Sequence, residues 1–259
     1  SENSTVLAIS QSGETLDLIK AVKTAKSRST QIISIVNVKG SSLSRLSDQN
    51  IFMNVGPEIC VLSTKSYTAQ VAILMLIASA LVIKPNQAKQ EIEEIIRNIY
   101  YLTSESARKY TKELSQILRY SNHIFTIGRG RDYATAMEAA LKIKEVSYIH
   151  AEGFAGGEIK HGPIAMIEHG TPCIVFVPNQ ENQDILSNAQ ELKTRGAFII
   201  GISEKKHEVF DYWIKVVGPD KFSPILRIIP IQALSYYLAV MKGLDPDKPR
   251  NLAKSVTVK

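Results

Sequence analysis

VLAISQSGETLDLIKAVKTAKSRSTQIISIV (residues 6–36) and CIVFVPNQENQDILSNAQELKTRGAFIIGI (residues 173–202) are one pattern written twice. Each is an apolar run, a polar turn, a helix-length segment, a Lys-x-Arg break and an Ile-rich run. The breaks are Lys26-Ser27-Arg28 and Lys193-Thr194-Arg195. Two more matches follow in the same order: Val55-Gly56-Pro57-Glu58 against Val217-Gly218-Pro219-Asp220, then Gln70 against Gln232, each inside an apolar helix. Self-similarity of this kind marks a duplicated unit. Strands rich in Val and Ile that alternate with helices form parallel sheets covered by helices on both faces. The chain therefore reads as α/β, with two doubly wound parallel-sheet domains followed by an irregular tail.

The pattern also sets the borders. Residues 1–84 are a first domain, 85–120 connecting helices, 121–242 a second domain and 243–259 the tail. Ile92, Ile95, Ile96, Ile99 and Leu102 keep 3–4 spacing and predict a long amphipathic helix in the connection. In the second unit, residues 123–172 precede the repeated strand; in the first, the strand begins near residue 5. The first domain is thus expected to be incomplete at its N-terminal side and the chain to be a fragment. A sheet lacking its opening strand would leave apolar surface uncovered.

The 259 residues are 44% hydrophobic and 22% charged, the balance of an ordinary globular chain. The net charge of +6 is spread along the chain. It suits a small anionic substrate and gives no block for nucleic acid. Cys60 and Cys173 are far apart in apolar surroundings, which excludes a disulfide scaffold and a zinc site; a reducing cytoplasm is expected. No signal peptide is expected. The apolar run Val71–Ile83 is shorter than the roughly 20 residues a membrane span takes, so it reads as a buried helix and no membrane partner is expected.

Three segments carry candidate chemistry. In the first, Ser10-Gln11-Ser12-Gly13-Glu14-Thr15 joins a strand to a helix N-terminus, where free N–H groups and the helix dipole favour an anion. Taken alone, Ser12 and Thr15 read as helix caps. In the second, Tyr133–Val146 is helical, with Lys142 and Glu145 three apart on one face, the spacing of a solvent-exposed ion pair. Four glycines, two histidines, two glutamates and a lysine crowd the loop 148–163 that follows, a setting for acid–base groups. No pair of histidines has metal-binding helical spacing. The third is the tail 245–259, whose Pro246 and Pro249 break a helix; folded back, it can deliver Lys254 to a site.

SQSGET (10–15), GPEICVLSTKSYTAQ (56–70), ALKIKEVSYIHAE (140–152), GGEIKHGP (156–163) and DKPRNLAKSVTVK (247–259) together resemble the sugar-isomerase (SIS) domain family, whose domains are flavodoxin-like. The resemblance spans the whole chain, and its strongest likeness is to the members that make glucosamine 6-phosphate from fructose 6-phosphate and ammonia, the first step of hexosamine biosynthesis. It implies that Ser10, Gln11, Ser12 and Thr15 bind the phosphate, that Val61, Ser63 and Ala253 add substrate contacts, and that Glu58 is an active-site carboxylate. It implies that Glu145 moves the proton between C1 and C2, Lys254 forms a Schiff base with the open-chain sugar, and Lys142 lies beside the site. His161 is implied to assist ring opening from a neighbouring subunit, hence at least a homodimer. No cofactor or metal is implied. Ammonia would come from a separate N-terminal glutaminase domain, absent here, whose cysteine neither Cys60 nor Cys173 replaces. The chain departs from the family in ending on Lys259 in place of a Glu. A sugar-phosphate isomerase or amino-sugar-phosphate deaminase of the same fold, and a non-catalytic sugar-phosphate-binding regulator, are the alternative readings.

Overall fold

A computed structural model of the chain describes residues 4–82, 85–179 and 182–254. They form two compact units. One comprises the chain up to Ile77 with the tail from Arg250; the other is Ala78–Pro249. The helices expected to be a connection thus cluster with the second unit, as do residues 243–249 of the tail, while the tail from Arg250 clusters with the first.

The first unit runs β1 (Thr5–Ser10), α1 (Leu16–Lys26), β2 (Gln31–Val36), α2 (Ser42–Leu46) and β3 (Gln49–Phe52), then enters α3 (Lys65–Val82). Its sheet is all parallel in the order β1-β2-β3, with Thr5 opposite Gln31 and Ile33 opposite Gln49. Ala8, Val22, Ile32, Val36 and Leu43 form a small core. The expectation of a buried helix at 71–83 fails. Among the described side chains of α3 only Ser66 and Ser79 are buried, because no single sheet face covers a helix that is apolar all round. Reaching back to Lys65, α3 is also longer than the apolar run. It and the stretch Asp220–Met241 are long and apolar enough to cross a membrane by length and composition; the latter is mostly buried.

The second unit runs α4 (Pro85–Leu102), α5 (Glu105–Leu118), β4 (His123–Gly128), α6 (Arg131–Ser147), β5 (His150–Ala155), β6 (Pro172–Phe176), α7 (Gln183–Thr194), β7 (Phe198–Ser203), β8 (Tyr212–Lys215) and α8 (Ser223–Met241). The connection is two helices, since Ser104 stops the first and caps the second, its Oγ accepting the Ala107 N–H at 3.3 Å. All five strands are parallel in the order β5-β4-β6-β7-β8. Counted within the unit this is 2-1-3-4-5, the flavodoxin-like order, with its switch point between β4 and β6. Helices lie on both faces. Phe125, Ile127, Cys173, Val175 and Ile199 pack with Ile185, Ala189 and Leu192 of α7. Between them in β4, Thr126 points to the other face and donates its hydroxyl to the Ala136 carbonyl of α6 at 2.7 Å. Glycine is required where strands press on α6: a Cβ on Gly128 would strike the Asp132 backbone, and one on Gly153 the backbone of Met137.

The segment 148–163 is only partly a loop. His150–Ala155 is β5, paired with β4 from His123–His150 to Gly128–Ala155. Two short 3-10 turns, Glu158–Lys160 and Pro163–Met166, follow.

The duplication reaches side-chain detail. In the first unit Lys26, at the end of α1, pairs with Asp48 at 3.3 Å and donates to the Leu46 carbonyl, while Asp48 Oδ2 accepts the Ile32 N–H at 2.8 Å. In the second, Lys193 at the end of α7 pairs with Asp211 at 2.9 Å and donates to the Val209 carbonyl, while Asp211 Oδ2 accepts the Ile199 N–H at 2.8 Å. The same Lys–Asp clamp closes the same crossover twice.

Candidate active site

The Ser10–Thr15 turn is held open by its own polar groups. Ser10 Oγ accepts the Gly13 N–H at 2.9 Å, and Ser12 Oγ accepts the Glu14 N–H at 3.2 Å. A hydroxyl that accepts still has its proton to donate. Thr15 occupies the cap position of α1, yet its hydroxyl makes no capping bond, so the capping reading holds for position and not for chemistry. Gly13 has φ +71, and a Cβ there would collide with the Ser41 side chain. The turn is tied to its neighbours by Leu43 N–H to the Gly13 carbonyl (2.9 Å), Asn37 N–H to the Gln11 carbonyl (3.2 Å) and Ser42 N–H to Glu14 Oε1 (2.8 Å). The Ser42 bond holds the Glu14 carboxyl below its usual range. What remains is a cluster of hydroxyls, the Gln11 amide and a helix N-terminus, which suits a phosphate.

The same unit brings the tail lysine onto the loop before α3. Lys254 Nζ donates to the Cys60 carbonyl at 2.6 Å. Glu58 Oε1 accepts from Thr64 N–H and Oγ1, each at 3.2 Å, and Oε2 from Ser66 N–H at 3.0 Å. Burial alone would raise the Glu58 carboxyl, but hydrogen bonds from Ser66 and Thr64 and the Lys254 charge hold it below the usual range. Glu58 is thus an ionised cap that shapes the loop bearing Val61 and Ser63. Those two are half-buried, and Ala253 is exposed beside Lys254. Cys60 is half-buried; burial in the sheet pushes the Cys173 thiol up to about 12.

In the second unit the Lys142–Glu145 pair is not on the surface. Lys142 is 3% exposed, and its ammonium lies 3.0 Å from Glu145 Oε2 and 3.2 Å from Glu138 Oε1. The i,i+3 spacing was legible; the burial was not, because it arises where α8, β4 and β5 pack on α6. Glu138 escaped the sequence reading, although its i,i+4 spacing to Lys142 was visible. His161 stands exposed at the end of the first 3-10 turn. Among the described residues no group of His, Cys, Asp and Glu is placed to hold a metal ion.

In the second unit Asn179, at the start of the segment that the repeat matches to the Ser10–Thr15 turn, is held by charged side chains. By the repeat, Asp220 matches Glu58 and Arg227 matches Lys65. Arg227 is buried at 2% exposure; it bonds Asp132, Asp220 at 3.2 Å and Asn179 at 3.1 Å. Asp220 also accepts the Asn179 N–H at 3.0 Å. A guanidinium supplied by the chain thus holds Asn179 and Asp220 together.

Twin parallel-sheet units, one with a turn of hydroxyls at a helix N-terminus and the other with a buried lysine between carboxylates, define a two-domain α/β protein. The chain belongs to the SIS domain family, whose pattern matches residues 1–80 and 117–242. It is 44% identical over 261 residues to the glutamine–fructose-6-phosphate aminotransferase (isomerizing) of Pyrococcus horikoshii, covering 98% of this chain and 44% of that protein. The same enzyme of Clostridium perfringens is 40% identical, with 98% and 44% covered. Among solved structures, the C-terminal domain of glucosamine-fructose-6-phosphate aminotransferase from Francisella tularensis superposes with a TM-score of 0.84 at 34% identity, covering 96% of this chain and 75% of that one. The chain spans less than half the length of the curated relatives it matches.

Proposed function

We propose that this chain carries the isomerase chemistry of a glutamine–fructose-6-phosphate aminotransferase, turning fructose 6-phosphate and ammonia into glucosamine 6-phosphate. One observation carries the reading: Glu145 has one oxygen pinned by the buried Lys142, while no bond within the described residues engages the other. A base that serves two adjacent carbons needs that arrangement, with a fixed position and one oxygen free to take and return a proton.

Ser10, Gln11, Ser12 and Thr15 hold the phosphate, and this remote binding energy positions C1 and C2. Val61, Ser63 and Ala253 line the sugar, with Glu58 shaping their loop. His161, from a second copy in a homodimer, assists ring opening. The neutral amine of Lys254 adds to the open-chain C2 carbonyl and expels water to form an imine; ammonia displaces the lysine. With the imine nitrogen protonated, Glu145 then removes a proton from C1, giving the neutral C1–C2 enolamine, and returns it to C2 as the C1 hydroxyl releases its proton to water and becomes the aldehyde. Ammonia reaches the reaction from glutamine through a glutaminase domain, and the setting is the cytoplasm.

The test is formation of glucosamine 6-phosphate from fructose 6-phosphate and ammonium, with fructose 6-phosphate binding followed by calorimetry. Gly13→Ala is expected to weaken that binding by about tenfold or more, since the strained φ and the clash at Ser41 cost about 1–3 kcal/mol. Unaltered affinity would remove the phosphate from the Ser10–Thr15 turn.

A further inference from the structure

Asn37 follows β2 directly, and three of its polar groups are engaged by the two loops that the proposed site uses. Its backbone N–H donates to the Gln11 carbonyl of the Ser10–Thr15 turn at 3.2 Å. Its side-chain amide holds the other loop: Nδ2 donates to the Gly56 carbonyl at 2.8 Å, and Oδ1 accepts the Val55 N–H at 3.2 Å. One half-buried side chain thus clasps the start of the segment 55–66. Glu58 fixes the far end of that segment by accepting from Thr64 and Ser66. Between the two ties lie Val61, Ser63 and the Cys60 carbonyl that Lys254 bonds.

The second unit makes the same tie by another route. The Val36 carbonyl accepts the Met53 N–H as the Ser203 carbonyl accepts that of Val216. Asp48 accepts the Ile32 N–H as Asp211 accepts that of Ile199. In this register Asn37 falls at Glu204 and Ser12 at Asn179, while Gly56 matches Gly218. The Gly218 carbonyl is bonded from the turn segment itself, by Asn179 Nδ2 at 3.1 Å. Glu204 presents a carboxylate, which accepts hydrogen bonds and does not donate them. In the first unit the donor to the glycine carbonyl has moved off the turn. Ser12 Oγ, which accepts the Glu14 N–H at 3.2 Å, keeps its own proton to donate. We infer that Asn37 is a positioning residue of this site: by carrying the tie to Gly56 it sets the sugar loop against the phosphate turn and releases Ser12 for the ligand. The inference rests on the function proposed above and gives a part to a side chain outside the substrate contacts.

Asn37→Leu keeps the size and removes both side-chain bonds. In the longest natural form of the protein, its affinity for fructose 6-phosphate is expected to fall about 10- to 100-fold, the loss that follows when binding groups are held out of register. Inorganic phosphate, which needs the turn alone, should bind as in the parent. Calorimetric titration of the two anions side by side reads this split, which general damage to the unit would not produce. In a folded variant, loss of both anions or of neither overturns the inference. Asn37→Ser, polar but too short to span both backbone groups, should repeat the split and decides the matter where the leucine variant does not fold. Hydrogen exchange at the Val55 amide needs no ligand. It should be at least about tenfold faster in both variants than in the parent, and unchanged exchange also overturns the inference. A parent that binds neither anion sinks the proposed function instead, and the Val55 exchange still decides whether Asn37 holds the loop.

Discussion

Glu145→Gln is expected to stop the isomerisation while sparing the binding of substrate. The amide is nearly isosteric with the carboxylate and can still accept from Lys142 Nζ, 3.0 Å away, but it cannot carry a proton between carbons. Loss of a positioned general base costs about 10²–10⁴ in kcat. The Ser10–Thr15 turn, proposed above to hold the phosphate, belongs to the other compact unit, so fructose 6-phosphate affinity is expected to stay within about threefold, the pattern of a residue acting only in the transition state. Measured side by side, steady-state glucosamine 6-phosphate formation and calorimetric binding separate the two effects. Undiminished turnover removes Glu145 from the base role; a collapse of affinity makes it a binding residue.

The second large effect falls on stability. Arg227→Ala removes the buried guanidinium that pairs with Asp132, itself 3% exposed, and with Asp220. Removing one partner of a buried ion pair costs about 3–5 kcal/mol, because the remaining charge stays buried and uncompensated. Lys221→Ala serves as the comparison. Its pair with Glu91 is more open to water, with Lys221 39% exposed, and pairs toward the surface contribute about 0–1 kcal/mol. Urea unfolding of the two variants should differ clearly in midpoint. Equal midpoints would show that the Arg227 network does not hold the second unit together.

The sequence showed the framework because its signals are local. Apolar runs at Val6–Ile9, Cys173–Val177 and Phe198–Ile202 stand out as strands whatever packs on them, and the repeat set their order. What it concealed was tertiary. Lys142–Glu145 has the same spacing on a wet face as on a buried one, and only the packing of α8, β4 and β5 on α6 decides between them. His150–Ala155 carries a His, a Glu and a Gly in six residues, so it reads as a loop. It is a strand because β4 offers it a free edge and Gly153 lets it press against α6. The break between α4 and α5 rests on one serine cap. Burial of α3 was misjudged because composition measures how apolar a helix is, not how much surface exists to cover it. Glu138 was overlooked because a third charge on a helix face looks like solvation until the first two prove buried.

The Lys–Asp clamp that closes both crossovers has a consequence for how such a chain diversifies. Each half fastens its own crossover with a lysine, an aspartate and two backbone groups, none of them in the ligand turn. Architecture and recognition are therefore separable inheritances. Once the gene for one half was copied, either turn was free to drift while its sheet stayed assembled. The first keeps the hydroxyls of Ser10, Ser12 and Thr15; in the second Asp220 pairs with Arg227 and has become masonry. Such a division of labour requires a scaffold whose fastening never depended on the cargo.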